Sequence, residues 1–178
     1  MEATQFTTPM TPCGSPLPEL EVPMVNTMVR CLGSEHRKLD GLIMQLAFAA
    51  TRLASDPEAV AANQRAVEVW DEIRRDLWSH LQTEDELVLS WGEAHHAISG
   101  GLLDTLKSER QEIRELVAAL SASSSSQDRE LKTAEDRSAF AQALLALTRT
   151  LDSHVERYGG QVLPSILRAL FHKGASRG

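Results

Sequence analysis

Six polar side chains stand at positions where helical periodicity otherwise places apolar residues. They are His36, His80, Glu84, Arg110, His154 and Tyr158. Burying an ionisable side chain without a partner costs several kcal/mol, so these groups must pair with one another, hold a metal ion, or do both. His80 and Glu84 lie four residues apart, so both can reach one ion from the same helical face. Imidazoles together with a carboxylate suit iron, zinc or manganese.

An internal repeat brings the six positions to one level of the fold. A shift of 74 residues aligns the sequence with itself without a gap. The shift places His36 on Arg110, His80 on His154 and Glu84 on Tyr158. The first and second polar positions of each half are 44 residues apart. Helices rise about 1.5 Å per residue, so a hairpin that turns near the middle of this span returns to its starting height. We therefore expect His36 and His80 to face each other.

Four long amphipathic helices are needed to position these groups. Apolar residues recur at steps of three and four, which is the pattern of a buried helical face. The four stripes run from Val25 to Leu53, Ala66 to Trp91, Leu103 to Leu120 and Phe140 to Tyr158. No segment alternates as a strand does. The sequence therefore predicts an all-α fold, an antiparallel up-down-up-down four-helix bundle.

Breaks in the apolar periodicity predict where the helices end. Asp56 is expected to cap the second helix, with Pro57 at its first helical position. The glycines between residues 92 and 101 end that helix, and the serine run at residues 121–126 forms a polar linker. The pair Gly159-Gly160 is expected to loosen or kink the fourth helix.

The chain is predicted to form one domain with short extensions. Five of its seven prolines lie within residues 1–23, which have no apolar period, so this segment is predicted to be a proline-rich extended arm. The bundle is expected to occupy residues 24–173, and residues 174–178 are expected to form a disordered tail. The length of 178 residues suits one compact domain and is short for two.

Composition excludes several classes of partner. A net charge of -7 provides no basic field for nucleic acid or anionic lipid. The apolar stretches are interrupted by charges, which argues against a membrane span, and two cysteines cannot build a disulfide framework. The first residues lack the pattern of a secretory signal, so we expect a cytoplasmic protein. The composition leaves open whether the chain binds a protein partner or forms a homo-oligomer.

These motifs resemble the hemerythrin-like (HHE cation-binding) family over roughly Val25 to Phe171. The family pattern is a Glu-His pair on the first helix and His-x-x-x-Glu on the second, repeated on the third and fourth. The first half matches as Glu35-His36 and as His80 to Glu84. The resemblance implies a four-helix bundle around a non-haem di-iron centre. Relatives use that centre for oxygen binding, iron or redox sensing, or responses to nitric oxide or peroxide.

Two residues of the second half depart from that pattern. Arg110 replaces the histidine of the third helix, and Tyr158 replaces the carboxylate of the fourth. We therefore expect at most one ion, most simply iron, rather than a standard di-iron centre. Arg110 is expected to occupy the second metal position, where its positive charge opposes a second cation. Tyr158 either binds a ferric ion or donates a hydrogen bond to Glu84. The ligands that remain for one ion are His36, His80, Glu84 and His154.

Three functions stay open at this stage. The first is a metal-binding protein that senses or handles O2, NO or peroxide rather than an enzyme. The second is a metal-free bundle that acts as an interaction or regulatory module, with Arg110 paired to Glu84. The third is an enzyme that uses Tyr158 in redox chemistry or proton donation. Four carboxylates near the motifs are expected to be solvated helix charges rather than ligands, namely those of Glu35, Asp85, Glu86 and Glu109.

Overall fold

The computed structural model describes residues 22–124 and 133–175, and its secondary structure is helical. The helices are α1 (Val22–Ser55), α2 (Val60–Glu84), α3 (Gly100–Ser124), α4 (Ala134–Arg157) and α5 (Leu163–Ala175). Two π-helical segments, π1 (Asp85–Gly92) and π2 (Tyr158–Val162), continue α2 and α4. These residues contain no strand, so the predicted all-α fold is confirmed.

The helices pack as an antiparallel four-helix bundle. Helix α1 packs against both α2 and α4, and α3 packs against α4. Along the interface of α1 and α2, Glu35 contacts His80 while Gln45 contacts Arg65, so the two helices run in opposite directions. The predicted bundle is therefore confirmed, and its two hairpins are α1–α2 and α3–α4.

The predicted apolar stripes form the core, and the polar level lies between its two halves. One hydrophobic cluster includes Leu46, Ile73, Leu120 and Leu147, and the other includes Leu32, Leu87, Leu106 and Val162. The six polar residues noted above lie between these clusters along all four helices, and each is at most 5% exposed. Two apolar layers thus enclose one polar layer, which keeps water away from it.

The start of α2 differs from the prediction. Helix α2 begins at Val60 with Ala59 as its N-cap residue, so Asp56 does not cap it. Instead the Asp56 carboxylate accepts a hydrogen bond from the Glu58 backbone N–H at 3.2 Å, and the Asp56 carbonyl accepts one from Ala59 N–H at 3.1 Å. Asp side chains favour such local turns as readily as helix caps. In this protein the Asp56 carboxylate therefore stabilises a local turn instead of capping α2.

Other boundaries follow the predictions more closely. Segment π2 contains the Gly159-Gly160 pair, where a loosened helix was expected, and the chain leaves the helical path between Gly92 and Gly100. Helix α3 continues through Ser124, so the first part of the predicted serine linker is helical. Helix α1 includes residues 22–23 and α5 includes residues 174–175. The rest of the predicted arm and tail lies outside the described residues.

Helix length and hydropathy also bear on membranes. Within the described ranges, none of the helices combines the length and the apolar character that a membrane span requires.

Candidate metal centre

Each helix of the bundle contributes to the polar layer at the same height. His36 comes from the middle of α1, and His80 and Glu84 come from the last turns of α2. His154 lies in the last turn of α4, and Tyr158 begins π2 directly after it. The hairpin argument from sequence is correct for the first pair, because the rings of His36 and His80 are 4.6 Å apart.

Three imidazoles converge on one carboxylate oxygen. The Oε1 atom of Glu84 lies 3.0 Å from His36 Nε2, 3.2 Å from His80 Nε2 and 3.2 Å from His154 Nε2. One ligand atom from each of the four residues lies within 4.8 Å of the others. The Glu84 side chain has no exposed surface. The structure therefore brings together all four residues that the sequence proposed as metal ligands.

A second carboxylate determines how His80 presents its ring. The Oε2 atom of Glu35 lies 2.9 Å from His80 Nδ1. A carboxylate only accepts hydrogen bonds, so Nδ1 must carry the proton, and in the neutral ring the lone pair is then on Nε2. That lone pair faces the oxygen of Glu84. Two acceptors in contact repel, so a cation must lie between them: either a second proton on His80 or a metal ion.

The pKa directions of the metal-free site agree with this electrostatic description. Burial lowers the pKa of His36 below its usual value, and the interactions with Glu84 only partly oppose that effect. Burial also acts to lower the pKa of His80, but the negative charges of Glu84 and Glu35 and the hydrogen bond with Glu35 outweigh it, so the pKa is raised. Burial acts to raise the pKa of Glu84, but the surrounding histidines reverse the effect and hold that pKa well below its usual range.

The donor set fits a divalent transition metal. His80 Nε2 is buried and lacks a hydrogen bond of acceptable geometry, and so does Glu84 Oε2. Metal–ligand bonds of about 2.1 Å separate neighbouring ligand atoms by roughly 3.0–3.4 Å in octahedral or tetrahedral geometry. The three nitrogen–oxygen separations of 3.0–3.2 Å lie in that range and are also hydrogen-bond distances, and the ligand atoms of the four residues lie within 4.8 Å of one another. A metal-bound histidine commonly donates its other N–H to a carboxylate, which is the role Glu35 has toward His80.

Arg110 occupies the corresponding position in the second hairpin. Its Nη1 lies 3.6 Å from Glu84 Oε2, and its Nη2 lies 2.8 Å from Asp85 Oδ2 and donates to the Leu81 carbonyl. Arg114 contacts the same Asp85 oxygen at 3.2 Å. The guanidinium is only 2% exposed and is held from three directions. As expected, Arg110 pairs with Glu84.

Tyr158 covers the same layer from the fourth helix. Its ring packs 4.6 Å from that of His154 and 5.1 Å from that of His36, with no exposed surface. Burial, and then the charge of Glu84, raise the pKa of its phenol, so the hydroxyl stays protonated in the metal-free protein. The hydroxyl has no well-formed hydrogen bond to any described residue. The expected hydrogen bond from Tyr158 to Glu84 is therefore not formed with good geometry.

Of the four carboxylates expected to be solvated, Glu86 is exposed, whereas the other three have partners in the structure. Glu35 binds His80 although its side chain is 47% exposed, and Asp85 binds both Arg110 and Arg114. Glu109 forms an ion pair with Arg157 across the α3–α4 interface. Two signals in the sequence pointed to Glu35 and Glu109, namely the 74-residue repeat that relates them and the Glu-His pair of the family pattern, in which both occupy the Glu position. Nothing in the sequence separated Asp85 from an ordinary surface charge.

Comparison with known proteins identifies the family. The model of the hemerythrin HHE cation-binding domain matches residues 27–165, which is most of the chain. The protein therefore belongs to the hemerythrin HHE cation-binding domain family. Comparisons with curated proteins and with solved structures give no match.

Proposed function

We propose that this protein is a hemerythrin-like bundle that binds a single iron ion through His36, His80, Glu84 and His154. The observation that carries the proposal is the convergence of three imidazole Nε2 atoms on one buried carboxylate oxygen at 3.0–3.2 Å. The Glu35 contact supports it, because it fixes the proton of His80 on the ring nitrogen that faces away from the ion. Nitrogen and oxygen ligands of this mixture suit iron.

The number of ions follows from Arg110. A divalent ion about 4 Å from the guanidinium charge would be repelled by roughly 8 kcal/mol at an effective dielectric of about 20. Contacts with Glu84, Asp85 and the Leu81 carbonyl hold the guanidinium in place, so it cannot easily move aside. Tyr158 also replaces the carboxylate that a second ion would need. These features support one ion rather than two.

The proposed role is to sense or handle O2, NO or peroxide in the cytoplasm rather than to catalyse turnover. A bound iron ion supplies a redox-active centre with affinity for such small molecules. The protein contributes a dry layer between two apolar clusters and a buried phenol from Tyr158 that can donate a hydrogen bond. Arg110 adds a fixed positive charge beside Glu84.

Metal analysis of protein purified from iron-supplied cells tests the proposal directly. We expect close to one equivalent of iron per chain. Less than about a tenth of an equivalent of any transition metal would rule the metal-binding function out, because buried His and Glu sites that bind structural ions hold them tightly.

A second candidate is a metal-free interaction or regulatory module. The observation in its favour is that Arg110 already neutralises Glu84 without an ion. In that case His80 carries the second proton that its contacts with Glu35 and Glu84 require. The same metal analysis separates the two candidates, because the interaction module contains no bound metal. A third candidate, an enzyme that uses Tyr158, predicts loss of peroxide consumption in Tyr158→Phe with unchanged metal content.

A further inference from the structure

Two openings at the surface of the bundle lead toward the polar layer, and they differ in what closes them. The opening between α1 and α2, of about 200 Å³, is lined by Glu35, Lys38, Asp76 and His80. Lys38 and Asp76 form an ion pair across it, and Glu35 is already bound to His80 at its inner end. A molecule that enters this opening therefore meets a completed hydrogen bond.

The cleft between α1 and α4 ends differently. It has a volume of about 390 Å³, and His36 is among its lining residues together with Gly33 and Gly159. His36 is 5% exposed, and its Nε2 faces Glu84 at the centre of the bundle. The other ring nitrogen, Nδ1, is turned away from Glu84 and has no hydrogen-bond partner among the described residues. The cleft thus reaches a proposed ligand, one of whose ring nitrogens is buried and has no partner among the described residues.

The repeat explains why this buried nitrogen has no hydrogen-bond partner among the described residues. A shift of 74 residues places Gly159 on Asp85, as it places His36 on Arg110. In the second half-site the Asp85 carboxylate reaches Arg110 at 2.8 Å and covers it. Gly159 has no side chain, and a Cβ atom at this position would meet nothing within 4 Å. The covering group present on one side of the bundle is therefore absent on the other.

Charge at the rim of the cleft favours cations. Asp40 on α1 and Asp152 and Glu156 on α4 line it, and Arg37 is the only cation among the lining residues described. The rim therefore carries two net negative charges. Local fields of one sign raise the encounter rate of ions of the opposite sign. In the opening between α1 and α2 the charges of Lys38 and Asp76 cancel, so Glu35 leaves only one net negative charge among the lining residues.

We propose that divalent metal reaches the site through the cleft between α1 and α4, with His36 as the first of the four ligands that it meets. This inference rests on the proposed metal-binding function and adds a route to it. The three carboxylates attract the ion without forming a compact site of their own. Gly159 leaves the space through which the ion passes to the histidine.

The test compares rates of metal uptake in two glycine variants. Metal-free protein is mixed with Co²⁺, whose d–d absorption reports binding, and release is followed by competition with a chelator. Gly159→Leu puts a side chain into the cleft, and we expect uptake and release both to slow by about tenfold, as for association that must wait for a side chain to move. Because a route affects both directions equally, the Kd should stay unchanged.

Gly160→Leu is the matched control. Gly160 is the next residue of π2, has equally open space around it and does not line the cleft. We expect it to take up Co²⁺ at the wild-type rate. Equal rates in the two variants, or a change in Kd as large as the change in rate for Gly159→Leu, would overturn the proposed route.

Neutralising the rim gives a second test that leaves the cleft open. We expect the double variant Asp152→Asn/Glu156→Gln to take up Co²⁺ about five- to tenfold more slowly at low salt. The difference should vanish in about 1 M salt, where the Debye length is about 3 Å. A rate independent of these charges at low salt contradicts the route. If wild-type protein binds no Co²⁺ at equilibrium, the metal-binding function itself fails, which is a different result from unchanged rates.

Discussion

The two hairpins of this bundle share one scaffold and carry different chemistry. The first supplies His36, His80 and Glu84, and Glu35 orients one of these rings. The second supplies His154 alone as a candidate ligand, because Arg110 and Tyr158 stand at the other two positions. The scaffold determines where polar groups meet, whereas the residue types determine how many ions they can hold.

The carboxylates that precede the polar residues of α1 and α3 show the same contrast. Glu35 binds His80 of the next helix. Its repeat-related partner Glu109 binds Arg157 instead of His154. As a result His154 Nδ1 has no hydrogen-bond partner among the described residues, although that side chain is fully buried. Within the described residues, only the first hairpin combines several candidate ligands with a carboxylate that orients one of them.

Removing the central carboxylate should have the largest effect on this comparison. Glu84→Gln takes away the oxygen on which three imidazoles converge, so we expect the affinity for Fe²⁺ or Co²⁺ to fall by more than about 100-fold, beyond the roughly 10–100-fold typical of outer-shell partners. The measurement is equilibrium titration of metal-free protein. Tyr158→Phe changes the related position and should alter the affinity less than about threefold, because the Tyr158 hydroxyl makes no well-formed hydrogen bond to any described residue and so does not orient a ligand. A loss in Tyr158→Phe equal to that in Glu84→Gln would instead make Tyr158 a ligand.

Restoring the second hairpin should convert the site to two ions. In Arg110→His/Tyr158→Glu the fixed positive charge disappears and the missing nitrogen and carboxylate ligands return. We expect the iron content to rise from about one to about two equivalents per chain, because the repulsion estimated above is removed. Metal analysis beside wild type measures the change. A double variant that binds no more metal than wild type shows that the repeat does not relate these positions functionally.

The orienting carboxylates offer a finer comparison with a built-in control. Glu35→Gln should weaken metal binding about 10- to 100-fold, as loss of an outer-shell carboxylate commonly does. Glu109→Gln should change it less than about threefold, because Glu109 contacts Arg157 rather than a ligand. Both variants are followed by the same titration. Equal losses in the two would mean that Glu35 acts only through helix packing.

The smallest expected effect is a change in pH dependence. The pKa of His80 is raised above its usual 6.5 in the metal-free protein, so the ring is still protonated at pH values where an ordinary histidine has lost its second proton. That proton must leave the ring when the ion binds. Metal affinity should therefore fall as the pH falls, by about tenfold per pH unit for each displaced proton. Glu35→Gln removes one cause of the raised pKa, so its decline should begin at lower pH. A decline in affinity that begins at the same pH in this variant and in wild type would contradict the role assigned to Glu35.

Periodicity and the repeat predicted most of the fold and the members of the polar layer. Each predicted stripe is buried because the apolar period determines which face of a helix points into the core. The four candidate ligands meet because the helical rise determines how far along the bundle each residue lies. The partners of Glu35 and Asp85 could not be predicted, since a surface carboxylate looks the same in sequence whether or not a neighbouring helix approaches it. The prediction that Asp56 caps α2 was wrong because a local turn competes for the same side chain.

The two π-helical segments lie at similar places in the two halves of the chain. Such segments are rare, and inside α-helices they frequently occur at functional sites. The 74-residue correspondence holds both before these segments, where Leu77 falls on Leu151, and after them, where Leu89 falls on Leu163. The repeat therefore runs through both segments without a gap. Because π1 begins directly after Glu84 and π2 begins at Tyr158, the irregular backbone of each half adjoins the polar layer that holds the candidate metal centre.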